Sequence, residues 1–433
     1  MDTRPTVLIL QHHAVNCAAI LDRAGAAYLV TEDDRDDPAT GTVSVQGGAR
    51  RRHVLRRLQL SRYAGIFRVS SLDSIEELSA VAAHLLAVGA GVDKVVTYTE
   101  ETQYAGGYLA QLLGLDHNTP EISLYTRDKR VMKARAAGAG LPVPRYVSLP
   151  NAGRDADLDR IEAALGYPLV VKPANGWGSM HTTLVADREH LTAVLAAAAT
   201  PTGLISDHLI AEQFIAGEEL HADAVWRDGE AWVFFVSRYY TPRMELNTES
   251  GLNGSVLLRE DDYPDLYKEV RELNDRYVEA IGLRRGTTHL ELFRHRDTGR
   301  LVCSEIASRM AGANFPEVIG AACGVNERVL WAHELLDGRR ADLPLWRGTR
   351  PGYVGWVNVP PSGTGTVRTV PDREELLAHP NVLVAQVLVA VGDEVPVTWS
   401  STWGVLLVIA AETEKDLVAL AATLTASIHI TVE

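Results

Sequence analysis

The sequence is poor in cysteine, short of basic residues relative to its acids, and without any long apolar run. Its three cysteines, Cys17, Cys303 and Cys323, are scattered and form no CxxC pair. That excludes a disulfide framework and a cysteine-rich zinc site, and points to a reducing, cytoplasmic compartment. No stretch reaches the roughly 18 apolar residues of a membrane span. The early run Val7 to Leu10 is too short for the apolar core of a signal peptide. Against 56 acidic residues stand 42 basic ones, a formal net charge of −14. A negative balance of that size argues against nucleic acid or an anionic membrane as a partner. No GxGxxG follows the first apolar strand, so a dinucleotide fingerprint is missing too.

What is present reads as a multi-domain globular protein. A length of 433 residues suggests about three domains. Apolar residues make up 46% and charged residues 23%, which excludes a disordered chain or a coiled coil. Thr6 to Leu10, a helix near Asn16 to Arg23 and a second apolar run at Tyr28 to Val30 give a βαβ rhythm and hence a parallel sheet. An acidic run, Asp33 to Asp37, and five arginines between Arg50 and Arg57 fit a solvated helix face or loop, or a phosphate-holding patch. Asp73 with Glu76 reads as a capping pair, opening a helix with Ile75, Leu78, Ala82 and Leu85 on one face. Val92 to Thr99 reads as a strand that delivers Glu100 and Glu101 to the end where open α/β sheets bind ligands; dipole-favoured charge at a helix start explains the same pair. From Tyr167 the texture becomes α+β, and from about Gly352 the tail is rich in Val, Thr, Gly and Pro and reads as mostly β.

Three segments can carry chemistry. In Leu169-Val-Val-Lys-Pro-Ala-Asn-Gly-Trp-Gly-Ser179 an apolar strand ends on Lys172, and a loop with Gly176, Gly178 and Ser179 follows. Such a loop lets backbone N–H groups approach an anion, although the order is not GxxxxGK[ST] and a plain turn reads the same way. In Ala211 to Val225 a strand ends at Glu212, a turn falls at Gly217, and Glu218 and Glu219 follow: a purine-and-ribose edge, or a hairpin with solvent-facing acids. In the third, Glu291 and Glu305 lie among apolar residues on two predicted strands, with Arg309 four residues beyond Glu305. Buried carboxylates need a cation. Mg²⁺ bridged to phosphate oxygens satisfies that need, and so does an ion pair with Arg309. His289 packs beside this pair.

Together with the helix Thr126 to Lys133 and the stretch Gly140-Leu-Pro-Val-Pro144, these segments resemble the ATP-grasp superfamily, in its carboxylate–amine (amino-acid or dipeptide) ligase branch. The resemblance implies an N-terminal parallel α/β domain (1–124), an ATP-grasp domain (125–345) with a lid over about 167–237, and a small β-rich C-terminal domain (346–433). It implies ATP and Mg²⁺ as cofactors, small-molecule carboxylate and amine substrates, and amide formation through an acyl-phosphate, in specialised metabolism; it leaves a homodimer open. Residue by residue it makes Lys129 the first phosphate lysine, with Lys133 as its substitute, and Lys172 the second. Gly176, Gly178 and Ser179 become the lid. Glu212 faces the adenine amino group, the backbones of Gln213 and Ile215 read the adenine edge, and Glu219 binds ribose. Glu291 and Glu305 hold Mg²⁺, Arg309 neutralises the acyl-phosphate, and His289 orients substrate. The sequence departs from the E-x-N pattern at the second metal strand, since Ala307 stands where Asn is usual. Ser308 and Asn314 are the replacement oxygens at hand. A carboxylase working through carboxyphosphate and a non-catalytic nucleotide binder are the alternatives; no biotin-carrier motif marks the tail.

Overall fold

A computed structural model describes residues 4–32, 60–151, 156–179, 181–198, 208–247, 251–337, 352–395 and 402–433. The acidic run at 33–37 and the arginines at 50–57 lie outside the described residues.

The first four strands are β1 (Thr6–Leu10), β2 (Ala26–Glu32), β3 (Gly65–Val69) and β4 (Lys94–Val96). They form a sheet of order β3-β2-β1-β4, every pair parallel. Both faces are covered by helices, which is why β1 is an unbroken apolar run with Val7, Leu8, Ile9 and Leu10 all buried. β4 is shorter than the expected Val92 to Thr99 and lies at the sheet edge. The helix after β3 spans Ile75–Ala87 and is capped by Ser74, whose hydroxyl accepts from the Glu77 N–H, not by Asp73. The one-residue shift turns Ile75 outward, 65% exposed, while Leu78, Ala82 and Leu85 stay buried.

A second module holds β5 (Tyr146–Leu149), β6 (Leu169–Pro173), β7 (Thr183–Val185) and β8 (Leu209–Gln213) in the order β5-β8-β6-β7. Its own apolar core, including Ile161, Leu165, Leu191 and Leu195 from two helices, backs this sheet.

The largest sheet begins with β9 (Gly217–Arg227), β10 (Glu230–Tyr239), β11 (Asn253–Leu257), β12 (Gly286–His295), β13 (Leu301–Ala307) and β14 (Tyr353–Val359). The remaining strands are β15 (Gly365–Thr369), β16 (Val382–Val387), β17 (Glu394–Val395), β18 (Val405–Ala411) and β19 (Thr431–Val432). The eight-stranded order is β13-β12-β9-β10-β11-β14-β18-β16, while β17-β15-β19 make a small sheet. Strand alternation splits β9 between two cores. Leu220, Ala222, Ala224 and Trp226 pack toward the helices Pro264–Ile281 and Glu414–Ser427. Val225 packs toward the helix Phe315–Cys323.

β5 joins the lid-like module, whereas β9 and β10 belong to the large sheet. The β-rich tail is antiparallel as expected, and β14 pairs with β11, so the large sheet continues past residue 346. The helix expected over Thr126 to Lys133 is two helices, Pro120–Arg127 and Lys129–Gly138, divided at Asp128. The Asp128 carboxylate accepts from the Arg130 and Val131 N–H groups and so caps the second helix.

Candidate active site

A cavity of about 860 Å³ lies between the four-stranded module and the large sheet. Each of its charged groups is placed by one of the elements above. The cap at Asp128 makes Lys129 the first helical residue, and its ammonium reaches across to the Gly176 carbonyl at 2.6 Å and to Glu305 at 3.1 Å. Lys172, near the end of β6, meets Glu212 of β8 at 3.1 Å and Glu305 at 3.9 Å. Lys133, one helical turn after Lys129, is fully buried and meets the other Glu212 oxygen at 3.0 Å. Three lysines thus face two glutamates. Burial pushes the Glu305 carboxyl up, but the ammonium groups of Lys129, Lys172 and Lys133 outweigh it and hold it below the usual carboxylate range. Glu212 is held down in the same way by Lys133 and Lys172.

The floor follows from strand register. Glu291 of β12 is directly opposite Glu305 of β13, and His221 of β9 is opposite Glu291 on its other side. Because side chains two apart share a face, the next row is Ala307, His289 and Asp223. Asp223 receives both imidazoles, His221 Nδ1 at 2.6 Å and His289 Nδ1 at 2.8 Å. The ligating atoms of His221, Asp223 and His289 lie within 4.8 Å of one another. Each Asp223 oxygen is taken by an imidazole, so the trio is a hydrogen-bonded relay behind Glu291. His289 Nε2 is 3.4 Å from Glu291 Oε1, and the Tyr239 hydroxyl donates to the same oxygen at 3.4 Å. Burial lowers the His289 pKa, but Asp223 overrides it and brings it to about 10.

The cavity wall brings together ten of the residues singled out from sequence: Lys129, Lys172, Gly176, Ser179, Glu212, Gln213, Ile215, Glu219, Glu291 and Glu305. Gly178, His289 and Arg309 are not on it. Gly178 has φ of +61°, the left-handed turn that glycine tolerates best, and so shapes the loop that carries Ser179. Gly217 starts β9 so close to β12 that a Cβ there would fall 1.9 Å from the Arg294 carbonyl oxygen. Buried Glu219 accepts the Arg243 backbone N–H at 2.6 Å, and burial followed by the Glu291 charge raises it to about 8. Arg309 is not the ion partner of Glu291 or Glu305. Its guanidinium Nε donates to Glu100 at 3.0 Å, and Arg127 approaches the same carboxylate at 3.7 Å. Ser308 turns away from Glu305, bonding Gln103 at 2.9 Å and Thr126 at 3.0 Å. Lys133 as a buried counter-ion, and Arg243, Trp177 and Phe293 at the cavity, were missed from sequence. Of these the sequence had offered only Lys133, as a substitute for Lys129.

The oxygen donors of Glu291 and Glu305 suit a hard divalent cation. They are adjacent, border the cavity, and are 20% and 22% exposed at the side chain. Among the described residues Glu291 has no lysine or arginine partner. Ala307 contributes no oxygen.

Residues 165–317 match the family model of the ATP-grasp domain, and residues 359–433 that of the L-amino acid ligase C-terminal domain 2. The chain is 27% identical over 340 residues to an L-arginine-specific L-amino acid ligase of Bacillus subtilis, covering 78% of this chain and 79% of that protein. It is 30% identical over 225 residues to a D-alanine–D-alanine ligase of Synechococcus, covering 49% of this chain and 62% of that protein. In fold it is similar to the crystal structure of an L-amino acid ligase from Bacillus licheniformis, with a TM-score of 0.74 at 18% identity over all of both chains. No helix among the described residues is long and apolar enough to cross a membrane.

Proposed function

We infer that this chain, which belongs to the ATP-grasp superfamily in its carboxylate–amine ligase branch, joins a carboxylate and an amine at the expense of ATP, and that both substrates are amino-acid-like. The observation that carries the site assignment is the convergence of Lys129, Lys172, Glu291 and Glu305 on one cavity from a helix and two separate sheets.

In this reading a carboxylate oxygen of the first substrate attacks the γ-phosphorus. The bond from that phosphorus to the β–γ bridging oxygen breaks, giving an acyl-phosphate and ADP. The amine nitrogen of the second substrate then attacks the acyl carbon, the bond to the phosphate oxygen breaks, and the nitrogen sheds a proton. Phosphoryl transfer of this kind asks the protein mainly for positioning and charge stabilisation. Lys129 and Lys172 are placed to take phosphate oxygens, exchanging one carboxylate contact each for the nucleotide. Lys133 stays with Glu212 and keeps that carboxylate ionised below the adenine. The backbones of Gln213 and Ile215 are assigned to the base edge and Glu219 to ribose. Gly176, Gly178 and Ser179 cover the phosphates and keep water from the acyl-phosphate. Glu291 and Glu305 would hold Mg²⁺, with Asp223 and His289 fixing the orientation of Glu291 from behind. When bound, the ion supplies charge neutralisation between neighbouring phosphate oxygens. Arg309, held by Glu100 beyond the end of β13, is assigned to the developing charge on the acyl-phosphate.

The test is a screen of paired amino acids scored by phosphate release and product mass. Turnover that requires both substrates and gives a product lighter than their sum by one water supports the reading. Nucleotide binding without ADP formation for any pair rejects it.

A further inference from the structure

A second cavity of about 590 Å³ lies against β4, the edge strand of the N-terminal sheet. None of the residues assigned above to nucleotide or metal lines it. Its walls come from β4, the turn at His117 and Asn118, Ile122, Ser308, the helix Glu327–Asp337, and the segment entering β12 with Leu283 and Arg285, the latter paired with Asp228 at 2.8 Å.

The wall contains a carboxylate that a protein interior does not keep without a reason. Glu334 is 1% exposed, and neither of its oxygens has a hydrogen-bond partner among the described residues. An unpaired buried acid is costly. Burial raises its pKa to about 7. Facing the same space are donors that also lack partners. His117 Nε2 accepts the Val95 backbone N–H at 3.2 Å, so the neutral ring carries its proton on Nδ1, and that atom is buried and unbonded. The ring is kept neutral because burial and the Lys94 charge bring its pKa down to about 4. The Asn118 amide nitrogen is likewise buried and unbonded. Lys94, half-buried, forms no ion pair among the described residues, and its charge is felt by both His117 and Glu334. The cavity therefore offers one orphan acceptor of negative charge and a cluster of orphan donors with a positive charge beside them. The side chains of Trp331 and Leu335 supply an apolar wall.

We propose that this cavity binds the zwitterionic head of a free α-amino acid, with its ammonium on Glu334 and its carboxylate on Lys94, His117 and Asn118. A zwitterion satisfies donors and acceptor together and adds no net charge to the site. A simple anion would leave Glu334 unpaired, and a simple amine would leave the three donors unpaired. The inference does not depend on the ligase reading, because no residue of the first cavity takes part.

The experiment is titration calorimetry of the full chain, without nucleotide, with each proteinogenic L-amino acid in turn, then with acetate and with methylamine. At least one amino acid is expected to bind, and acetate and methylamine are not. Glu334→Gln and Lys94→Met should each weaken the binding about tenfold or more, the equivalent of about 1.4 kcal/mol, while Phe293→Ala, on the wall of the first cavity, leaves it within about twofold. If Glu334→Gln fails to fold, Lys94→Met, at a half-buried position, carries the test. The proposal is overturned if no amino acid binds, if both variants bind as the parent does, or if Phe293→Ala abolishes binding. That last result would move the amino acid to the first cavity, leaving the ligase reading intact while this one falls.

Discussion

The two cavities hold charge in opposite ways. In the first, three lysines and two glutamates pair with one another at 3.0 to 3.9 Å before any ligand arrives, and Glu291 beside them has only an imidazole and a phenol within reach. In the second, Glu334 has no hydrogen-bond partner among the described residues, and the donors near it are equally idle. A pre-paired site can exchange partners for a highly charged polyanion at little cost, since the lysines remain solvated by carboxylate throughout. An unpaired site carries its desolvation cost in the empty protein and recovers it only when a ligand of both signs enters. The difference separates a site for a triphosphate from one for a small neutral molecule.

Substitutions can break that contrast. The largest effect is expected from Lys172→Ala and Glu305→Ala, each lowering phosphate release by about 10²–10³-fold, as the loss of a charge contact at the reacting group does. Glu334→Gln in the same assay should leave turnover within about twofold. Next comes Lys133→Met, which strands Glu212 in the interior. It should cost about 3 kcal/mol or more in urea unfolding, against less than about 0.5 kcal/mol for Lys94→Met on the half-buried rim.

Glu334 itself gives a pH signature. Its folded pKa of about 7 lies above the ordinary 4.5. Across that window the folded chain keeps a proton that the unfolded chain has shed, so stability falls as pH rises through it. Arg227, Arg285 and Lys94 moderate the shift and Asp228 adds to it. Glu334→Gln has no proton to lose and should remove that decline, about 3 kcal/mol for a shift of this size, read from unfolding midpoints at a series of pH values. The smallest effect is Arg309→Lys. It keeps the charge but loses the planar two-nitrogen grip, and kcat should fall about tenfold with the KM for ATP unchanged.

Local chemistry made much of the first site legible. Lys172, Glu212, Glu291 and Glu305 each end or punctuate an apolar strand, and a charged residue in that position announces itself by its cost of burial. The loop at 176–179 was legible through its glycines. The cap at Asp128 was not read as a boundary, although an Asp at such a position has the short acceptor that ends one helix and starts another. The pairing of Arg309 with Glu100 spans 209 residues, and no local spacing encodes it. The same holds for Glu334, which looks in sequence like any acid on a helix. Only the tertiary packing shows that neither of its oxygens has a hydrogen-bond partner among the described residues.

By itself the sequence determined the kinds of element, the order of the charged segments and the positions of the glycines. These depend on side-chain period, backbone freedom and the price of burying charge, all of which act over a few residues. The tertiary structure alone decided which charges meet. It set Glu291 opposite Glu305 by strand register, gave Lys133 to Glu212, carried the large sheet into the C-terminal tail and left Glu334 without a partner. Those outcomes depend on contacts between segments far apart in the chain, where electrostatic and packing energies are settled by distance in space.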